Sequence, residues 1–321
     1  MIILFAGADF RSEHNREIFH VRPEAVVVVG RLVAITNQKG GVGKTTTTVN
    51  LAIGLARPGH RVLLIDLDPQ GNATSGVTPP DDLPALKSSG RSIYEALVGR
   101  IELGDAIRQV RPDVFLAPSG PDLVGAEIEL ATMEGRERRL KDLLAPIRDD
   151  YAFILVDTPP SLGLLTLNSL VAADSVMVPM QCEYYALEGL SALLNTITRV
   201  RRALNPGLQI DGLVLTMFDA RNRLSHEIAR EVNKHFPDKV FQSVIPRSVR
   251  LSESPSHGLS VIEYDSKSSG AQAYQDLAAE VMRRTNGEPP VEETAVTDQP
   301  APRRSWTLKA LFAREDRGRR G

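Results

Sequence analysis

The 321-residue sequence contains one cysteine, few aromatic residues and no excess of either charge. With Cys182 alone, the chain can form neither an intrachain disulfide nor a metal site built from paired cysteines, which favours a reducing compartment. The 38 basic and 40 acidic residues give a net charge of −2. This balance argues against a generally polycationic nucleic-acid binder, although it is compatible with a local basic patch.

Long apolar runs are also missing. No run approaches the roughly 18 residues needed to span a membrane. The apolar start, Met1 to Ala6, is followed at once by charged residues, and no basic region precedes it as in a signal peptide. These features predict a soluble cytoplasmic protein.

Composition divides the chain into three parts. Residues 1–30 show no clear period and are an N-terminal extension of unclear role. Residues 31–284 alternate short apolar runs with helical stretches and are the predicted folded domain. Residues 285–321 stay polar and proline-rich to about Arg304, which predicts a disordered linker followed by a basic tail.

The apolar runs of the folded domain predict strands buried on both faces, as in a parallel sheet covered by helices. Stretches such as Thr45 to Ala56 and Leu187 to Leu204 have helical patterns. This alternation predicts right-handed βαβ units and a doubly wound, mostly parallel α/β fold, which binds ligands at the carboxyl ends of its strands. The predicted strands are 32–36, 62–66, 113–117, 152–156, 174–179, 210–216 and 240–245.

A glycine-rich loop directly follows the first predicted strand and leads into a helix. Glycines let the backbone wrap closely around phosphates, and successive N–H groups with the helix N-terminus form a concave anion site. In such a loop Lys44 neutralises phosphate charge and Thr45 offers its hydroxyl to Mg²⁺. The alternative is a glycine-rich turn with an incidental lysine. The predicted phosphate-binding residues are Lys39, Gly40, Gly41, Val42, Gly43, Lys44, Thr45 and Thr46.

Aspartates end two further predicted strands. Asp66 and Asp68 lie at the carboxyl end of the second strand, and Asp157 lies at the end of the fourth. A carboxylate after a buried strand is costly unless it is compensated, and Mg²⁺ at a strand end would compensate it. Alternatively these aspartates cap the helices that follow, an interpretation that fits Asp66 better than the other two.

The phosphate loop departs from the common G-x-x-x-x-G-K-[ST] pattern, because Gln38 occupies the position of the first glycine and Lys39 follows it. In this it resembles the deviant Walker A loop, K-G-G-x-G-K-[ST], of the ParA/MinD superfamily of P-loop ATPases. The resemblance implies ATP and Mg²⁺ as cofactors and a nucleotide-sandwich homodimer. In that dimer Lys39 would act in trans on the partner's phosphates and Lys44 in cis, as catalytic cations. The alternative for Lys39 is a solvated loop lysine.

Four further strings resemble the chromosomal ParA/Soj branch of that superfamily. The resemblance extends from about Gly30 to Arg284, so residues 31–284 are expected to be a ParA-type ATPase domain. The strings are Asp68-Pro69-Gln70-Gly71-Asn72, Glu183-Tyr184-Tyr185-Ala186-Leu187-Glu188-Gly189, Leu215-Thr216-Met217-Phe218-Asp219-Ala220-Arg221 and the segment from Val244 to Gly258.

The resemblance also implies roles for the three aspartates. Asp157 is similar to the Walker B aspartate that holds Mg²⁺. Asp68 is similar to the catalytic residue that orients the attacking water, and Asp66 would lie close to the metal shell.

Four residues of the later strings receive roles by the same resemblance. Met217 and Pro246 are candidate contacts to the adenine base, although both could be core or turn residues. Arg221 and Arg250 match arginines implicated in nonspecific DNA binding, although both could be ordinary solvated arginines.

The function that the resemblance implies is ATP-driven segregation of chromosomes or plasmids. ATP-bound dimers would coat nucleoid DNA without sequence preference, and a ParB-type centromere-binding protein would stimulate hydrolysis. Operator-specific DNA binding is not expected, because 30 residues before the resemblance are too few for a helix-turn-helix domain.

Two other members of the superfamily are the alternatives. A MinD-like membrane-associated positioning ATPase needs an amphipathic C-terminal helix. In the basic tail Leu308, Leu311 and Phe312 share one helical face but Trp306 lies almost opposite, so membrane binding is not favoured. An iron–sulfur member needs paired cysteine ligands, which Cys182 alone cannot provide within one chain.

Overall fold

The computed structural model of the chain describes residues 30–56, 60–183 and 186–288. The predicted N-terminal extension up to residue 29, and the predicted linker and basic tail after Glu288, lie outside the described residues. In the described ranges no helix is long and apolar enough to cross a lipid bilayer.

Seven strands form one sheet in the order β3-β4-β2-β5-β1-β6-β7. All neighbouring strands are parallel except β3 and β4, which pair antiparallel. The predicted doubly wound, mostly parallel sheet is therefore confirmed. The strands are β1 (Arg31–Ile35), β2 (Val62–Asp66), β3 (Arg108–Arg111), β4 (Val114–Ala117), β5 (Phe153–Asp157), β6 (Ser175–Gln181) and β7 (Gln209–Thr216).

Helices cover both faces of the sheet. Alternate residues of β1 show how this arises, because Leu32 and Ala34 belong to one apolar core while Val33 and Ile35 belong to the other. The helices are α1 (Lys44–Ala56), α2 (Asn72–Val77), α3 (Leu83–Lys87), α4 (Ile93–Leu97), α5 (Leu103–Ala106), α6 (Leu123–Ala131), α7 (Arg139–Leu144), α8 (Leu164–Ala172), α9 (Ala186–Ala203), α10 (Arg223–His235), α11 (Val249–Glu253), α12 (Val261–Tyr264) and α13 (Ser269–Thr285).

The helix that follows the phosphate loop, α1, packs closely on the last helix, α13. A Cβ atom at Gly54 would lie 2.8 Å from the Cβ of Ala278, so this crossing requires glycine. The hydroxyls of Thr47 and Tyr274 lie 3.2 Å apart in the same interface. This contact fixes the phosphate-loop helix against the C-terminal part of the domain.

The predicted strand 240–245 is wrong. This segment runs beside β7 and forms isolated parallel bridges, such as the one between Leu213 and Val240. The N–H groups of Gln242 and Ser243 bond instead to the carboxylate of Glu280 on α13, at 2.9 Å each. Because a side chain takes these donors, the ladder with β7 is interrupted.

Strand β3 was not predicted. Its sequence, Arg108 to Arg111, contains a single apolar residue, Val110, so it gives no apolar run. It pairs antiparallel with β4 at the outer edge of the sheet, where a strand need not be buried on both faces.

Candidate active site

The phosphate loop connects the carboxyl end of β1 to the start of α1, as predicted. Gly41 and Gly43 have φ values of 73° and 86°, a conformation that side-chain-bearing residues rarely adopt. Among the described residues, no heavy atom lies within 4 Å of a Cβ placed on Gly40 or Gly41. The exposed rim of the loop therefore leaves its backbone N–H groups room for an anion.

Lys44 begins α1 and is buried at the base of the loop. Its ammonium donates to the backbone carbonyl of Lys39 at 3.3 Å. Burial lowers the pKa of Lys44, and the nearby charges of Asp157 and Asp68 oppose this shift. The hydrogen bond to this carbonyl is long, so the buried ammonium is weakly satisfied in the nucleotide-free site. It is therefore well suited to bind a phosphate.

Asp157 ends β5 and is fully buried beside the first turn of α1. Its carboxylate accepts hydrogen bonds from the hydroxyls of Thr45, at 2.8 Å, and Thr48, at 3.1 Å. Burial, followed by the charge of Asp66, raises the pKa of Asp157. Thr48 was missed by sequence reasoning, although its position one turn after Thr45 places it on the same side of the helix. The second threonine of the loop, Thr46, accepts a hydrogen bond from Asn50 at its carbonyl, at 2.7 Å.

Asp66 is the register partner of Asp157 on the neighbouring strand β2. Its carboxylate accepts hydrogen bonds from the backbone N–H and hydroxyl of Thr74 on α2, both at 2.7 Å, and from the N–H of Asp68 at 3.2 Å. Burial raises the pKa of Asp66. Through these bonds Asp66 holds the start of α2 in place. Its position near the metal shell stays a prediction.

Asp68 lies in the loop after β2, buried beside the phosphate loop. One carboxylate oxygen accepts the N–H of Gln70 at 3.0 Å, and the backbone carbonyl accepts from Ser119 at 2.8 Å. Ser119 follows β4, so two strand ends fix the backbone of Asp68. The carboxylate retains acceptor capacity on its second oxygen.

Lys39 differs from Lys44 in its surroundings. Its side chain is 38% exposed and its ammonium forms an ion pair with Glu183, which follows β6 and is 53% exposed. Its backbone N–H donates to Asn37 at 3.0 Å, and Asn37 in turn donates to the carbonyl of Pro179 on β6 at 2.8 Å. Glu183 lies in a string that carried the family resemblance, but the sequence assigned it no role.

Met217 and Pro246 lie on neighbouring segments beside the phosphate loop. Met217, directly after β7, has a φ of 48°, and its methyl carbon lies 3.9 Å from a Cβ placed on Gly43. The next residue, Phe218, forms a parallel bridge with Pro246. The amide of Gln181 donates to the sulfur of Met217 at 2.8 Å, a polar neighbour that sequence reasoning missed.

The contact between β7 and the phosphate loop is direct. The hydroxyl of Thr216 donates to the carbonyl of Val42 at 2.8 Å. The segment carrying Met217 is therefore held against the loop by a hydrogen bond that does not require nucleotide.

Arg221 and Arg250 lie outside this cluster, and both are ion-paired. Arg221 is 91% exposed and donates twice to Asp219 at 3.1 Å, which lowers the pKa of that carboxyl to about 2. Arg250 donates to Glu253 at 2.8 Å and lies 3.3 Å from Asp265. The structure thus brings together the phosphate-loop residues and the three aspartates, and leaves both arginines on the surface.

The oxygen ligands at the head of α1 fit a hard divalent cation. Thr45 and Asp157 provide a hydroxyl and a carboxylate at hydrogen-bond distance, which is the ligand chemistry of Mg²⁺. In the described ranges, no group of three or more His, Cys, Asp or Glu residues could hold a metal alone. Where the protein provides only one or two ligands to Mg²⁺, waters and substrate phosphates occupy the other coordination positions.

Comparison with known proteins identifies the family. The family described as AAA domain matches residues 30–210. The chain is 48% identical to the chromosome partitioning protein ParA of Myxococcus xanthus, over 83% of this chain and 93% of that protein. It is 52% identical to the sporulation initiation inhibitor protein Soj of Bacillus subtilis, over 79% of this chain and 98% of that protein.

A solved structure that resembles this chain in fold contains bound nucleotide and magnesium. It is a cobyrinic acid a,c-diamide synthase from Mycobacterium smegmatis with bound ADP and magnesium, 38% identical, with a TM-score of 0.68 over 80% of this chain and 95% of that one. The chain is an ATP hydrolase that uses ATP and Mg²⁺. From the matched family, the two relatives and the phosphate-loop geometry, it follows that the chain belongs to the ParA/Soj family of chromosome-partitioning ATPases.

Proposed function

We propose that the chain is a partition ATPase whose ATP-bound form is a sandwich dimer that binds DNA nonspecifically. A ParB-type centromere-binding partner stimulates hydrolysis, the dimer separates, and chromosomes or plasmids are segregated. The name of the Myxococcus relative supports the partition role, and the phosphate loop supports its dependence on ATP.

The observation that carries this proposal is the different placement of the two lysines in one loop. Lys44 is buried within its own site, whereas Lys39 is held at the surface by Glu183. An exposed cation at the tip of a phosphate loop is available to a second copy of the chain. Lys44 acts in cis and Lys39 in trans, where it stabilises negative charge on the transferring phosphoryl group as an arginine finger does.

Within one protomer, residues of the phosphate loop and two aspartates have separate roles. Lys44 and the backbone N–H groups from Gly40 to Thr46 bind the phosphates, and Thr45 with Asp157 holds Mg²⁺. Bound Mg²⁺ neutralises phosphate charge. Asp68, with its backbone fixed by two strand ends, orients the attacking water.

DNA binding follows from dimerisation. With a net charge of −2, the chain has no bulk attraction for DNA, and Arg221 and Arg250 are each paired with carboxylates in the monomer. A dimer doubles the number of these arginines on one assembly, which strengthens multivalent contact with phosphates. The protein is therefore nucleoid-associated in its ATP state and released after hydrolysis, a population shift driven by contacts across the dimer.

The deciding experiment is co-sedimentation of the full chain with DNA in the presence of ATP, ADP or no nucleotide. The proposal expects DNA binding with ATP alone, at equal strength on unrelated sequences. Parallel samples with anionic liposomes test the MinD-like alternative, for which residues 303–314 are the candidate segment and lie outside the described residues. Binding to liposomes but not to DNA would overturn the proposal.

A further inference from the structure

The segment 239–246 lies beside β7 and leads into the candidate base contacts, but its strand pairing is broken in the middle. Leu213 donates to the carbonyl of Lys239 at 2.6 Å, and Phe241 donates back to Leu213 at 2.9 Å. Pairing resumes where Ile245 donates to Leu215 at 2.8 Å. Between these points Ser243 lies in one isolated bridge, and no regular ladder of backbone bonds to β7 forms.

Glu280 fills this gap. Its carboxylate, which is 4% exposed, accepts the N–H groups of Gln242 and Ser243 at 2.9 Å and the hydroxyl of Ser243 at 2.8 Å. Hydrogen bonds to an ionised acceptor are stronger than neutral ones, and a buried carboxylate without them would be costly. The same carboxylate therefore stabilises itself and fixes the segment.

Arg284 completes the arrangement one turn later on α13. Its guanidinium donates to Glu280 at 2.7 Å and to the carbonyl of Val240 at 2.9 Å, and lies 4.0 Å above the ring of Phe241. The residue pair thus holds the segment at Val240 as well as at Gln242 and Ser243. Neither residue touches the phosphate loop.

The helix that carries Glu280 is itself docked on the phosphate-loop helix. The Gly54–Ala278 crossing and the Thr47–Tyr274 hydroxyl contact join α13 to α1, which begins at Lys44. One helix therefore connects the phosphate-binding part of the site to the segment that ends at Pro246.

We propose that Glu280 is a positioning residue for the base of ATP. By holding Gln242 and Ser243 it places Ile245 and Pro246 against Phe218, and so sets the position of Met217 beside the phosphate loop. This inference rests on the proposed assignment of Met217 and Pro246 to the base.

The test is the variant Glu280→Gln, which keeps the length of the side chain but turns one acceptor into a donor facing backbone N–H groups. Dissociation constants are measured for ATP and for inorganic triphosphate, and the ratio of the triphosphate constant to the ATP constant reports what the nucleoside contributes to binding. We expect the constant for ATP to rise about ten-fold, in line with the loss of a charged buried hydrogen bond. The constant for triphosphate stays within about two-fold, because the phosphate loop is untouched.

The matched control is Asp276→Asn, one turn earlier on α13, where the carboxylate accepts from Gln272 and contacts no residue of the segment. It leaves both constants unchanged. If Glu280→Gln leaves the ratio unchanged, whether neither constant moves or both move together, the inference is overturned.

Two further variants keep the test decisive. If Glu280→Gln does not fold, Ser243→Ala removes one of the bonds and should lower the ratio about three-fold; an unchanged ratio then overturns the inference. Met217→Ala tests the base assignment separately. A ratio that falls in Glu280→Gln but not in Met217→Ala would refute the assignment of Met217 while leaving the role of Glu280 supported.

Discussion

Lys39 and Glu183 form an ion pair within one protomer, between the tip of the phosphate loop and the residue two positions after β6. Lys39 cannot hold this carboxylate and reach a partner's phosphates at once. The ion pair therefore competes with the contact across the dimer that we propose. Because both side chains are partly exposed, the competition is weak, at about 1 kcal/mol or less.

Glu183→Gln is expected to strengthen ATP-dependent dimerisation about two- to five-fold, since it releases Lys39 from its intramolecular partner. Analytical ultracentrifugation in ATP, with Asp68→Ala in both proteins to stop turnover, measures the dimer dissociation constant. Glu227→Gln, which breaks the exposed pair with Arg223, is the control and should have no effect. Weaker dimerisation in Glu183→Gln would show that the ion pair supports the dimer.

Lys44→Ala is expected to abolish ATP binding, because it removes the buried cation at the base of the phosphate loop. Isothermal titration with ATP and Mg²⁺ measures the affinity. Lys39→Ala is the matched control in the same loop and should bind ATP as a monomer with little change while losing the dimer. An affinity of Lys44→Ala within three-fold of wild type would refute the phosphate-loop assignment.

Asp68→Ala is expected to retain ATP and Mg²⁺ but to hydrolyse ATP about 100-fold more slowly, because the attacking water loses its orienting carboxylate. Size-exclusion chromatography in ATP should show a persistent dimer. A variant that binds ATP but remains strictly monomeric would count against this role.

Arg250→Ala is expected to weaken DNA binding equally on any sequence. Each phosphate contact contributes about −0.9 to the slope of log affinity against log salt concentration, so losing two contacts per dimer should reduce the slope by about 1.8. The salt series is run in ATP, with ATPase activity in the absence of DNA as the control that should not change. An unchanged slope with intact dimerisation would exclude Arg250 as a phosphate contact.

The nucleotide-free protein is expected to lose stability between pH 6 and pH 8 because of Asp157. Burial raises the pKa of this carboxyl to about 8, so the folded state keeps a proton that the unfolded state releases near pH 4. Stability from this group is therefore present at low pH and is lost as the pH rises towards 8. The free energy of unfolding should fall by about 2 kcal/mol over these two pH units.

Urea unfolding of wild type and Asp157→Asn checks this pH dependence. Asparagine mimics the protonated carboxyl, and Asp66, Asp68 and Lys44 remain in both proteins. The variant should show the smaller fall in stability. Equal falls in the two proteins would assign the pH dependence to other groups.

Much of this architecture could be predicted from the sequence, because strands that are buried on both faces of a parallel sheet consist of apolar runs. Strands β1, β2 and β5 were predicted to within one residue at each end, and the phosphate loop was placed correctly between β1 and α1. What the sequence could not provide was the partner of each polar group. Glu280 lies 37 residues from Ser243 in the sequence. No local pattern predicts that its carboxylate accepts the backbone N–H groups of the segment in place of a neighbouring strand.

In the candidate site, too, the positions of residues could be predicted from the sequence but their hydrogen-bond partners could not. Residue types and their position after strands predicted Lys44, Thr45 and Asp157 as neighbours, and the structure places them together. The bonds of Asp66 to Thr74 depend on how the chain turns from β2 into α2, and the pairing of Lys39 with Glu183 depends on how two separate loops meet at one end of the sheet. Both contacts bear on the chemistry, and neither follows from spacing.

The two outer strands of the sheet have a consequence for how copies of this protein can associate. On one side β3 is a short antiparallel strand with arginines at both ends, and on the other the segment 239–246 lies along β7 and has backbone donors occupied by Glu280. A short charged edge and a covered edge both disfavour the addition of another strand. Addition of a strand from another copy is therefore disfavoured at both edges of the described domain, and the dimer that we propose would use side chains and nucleotide at the carboxyl ends of the strands.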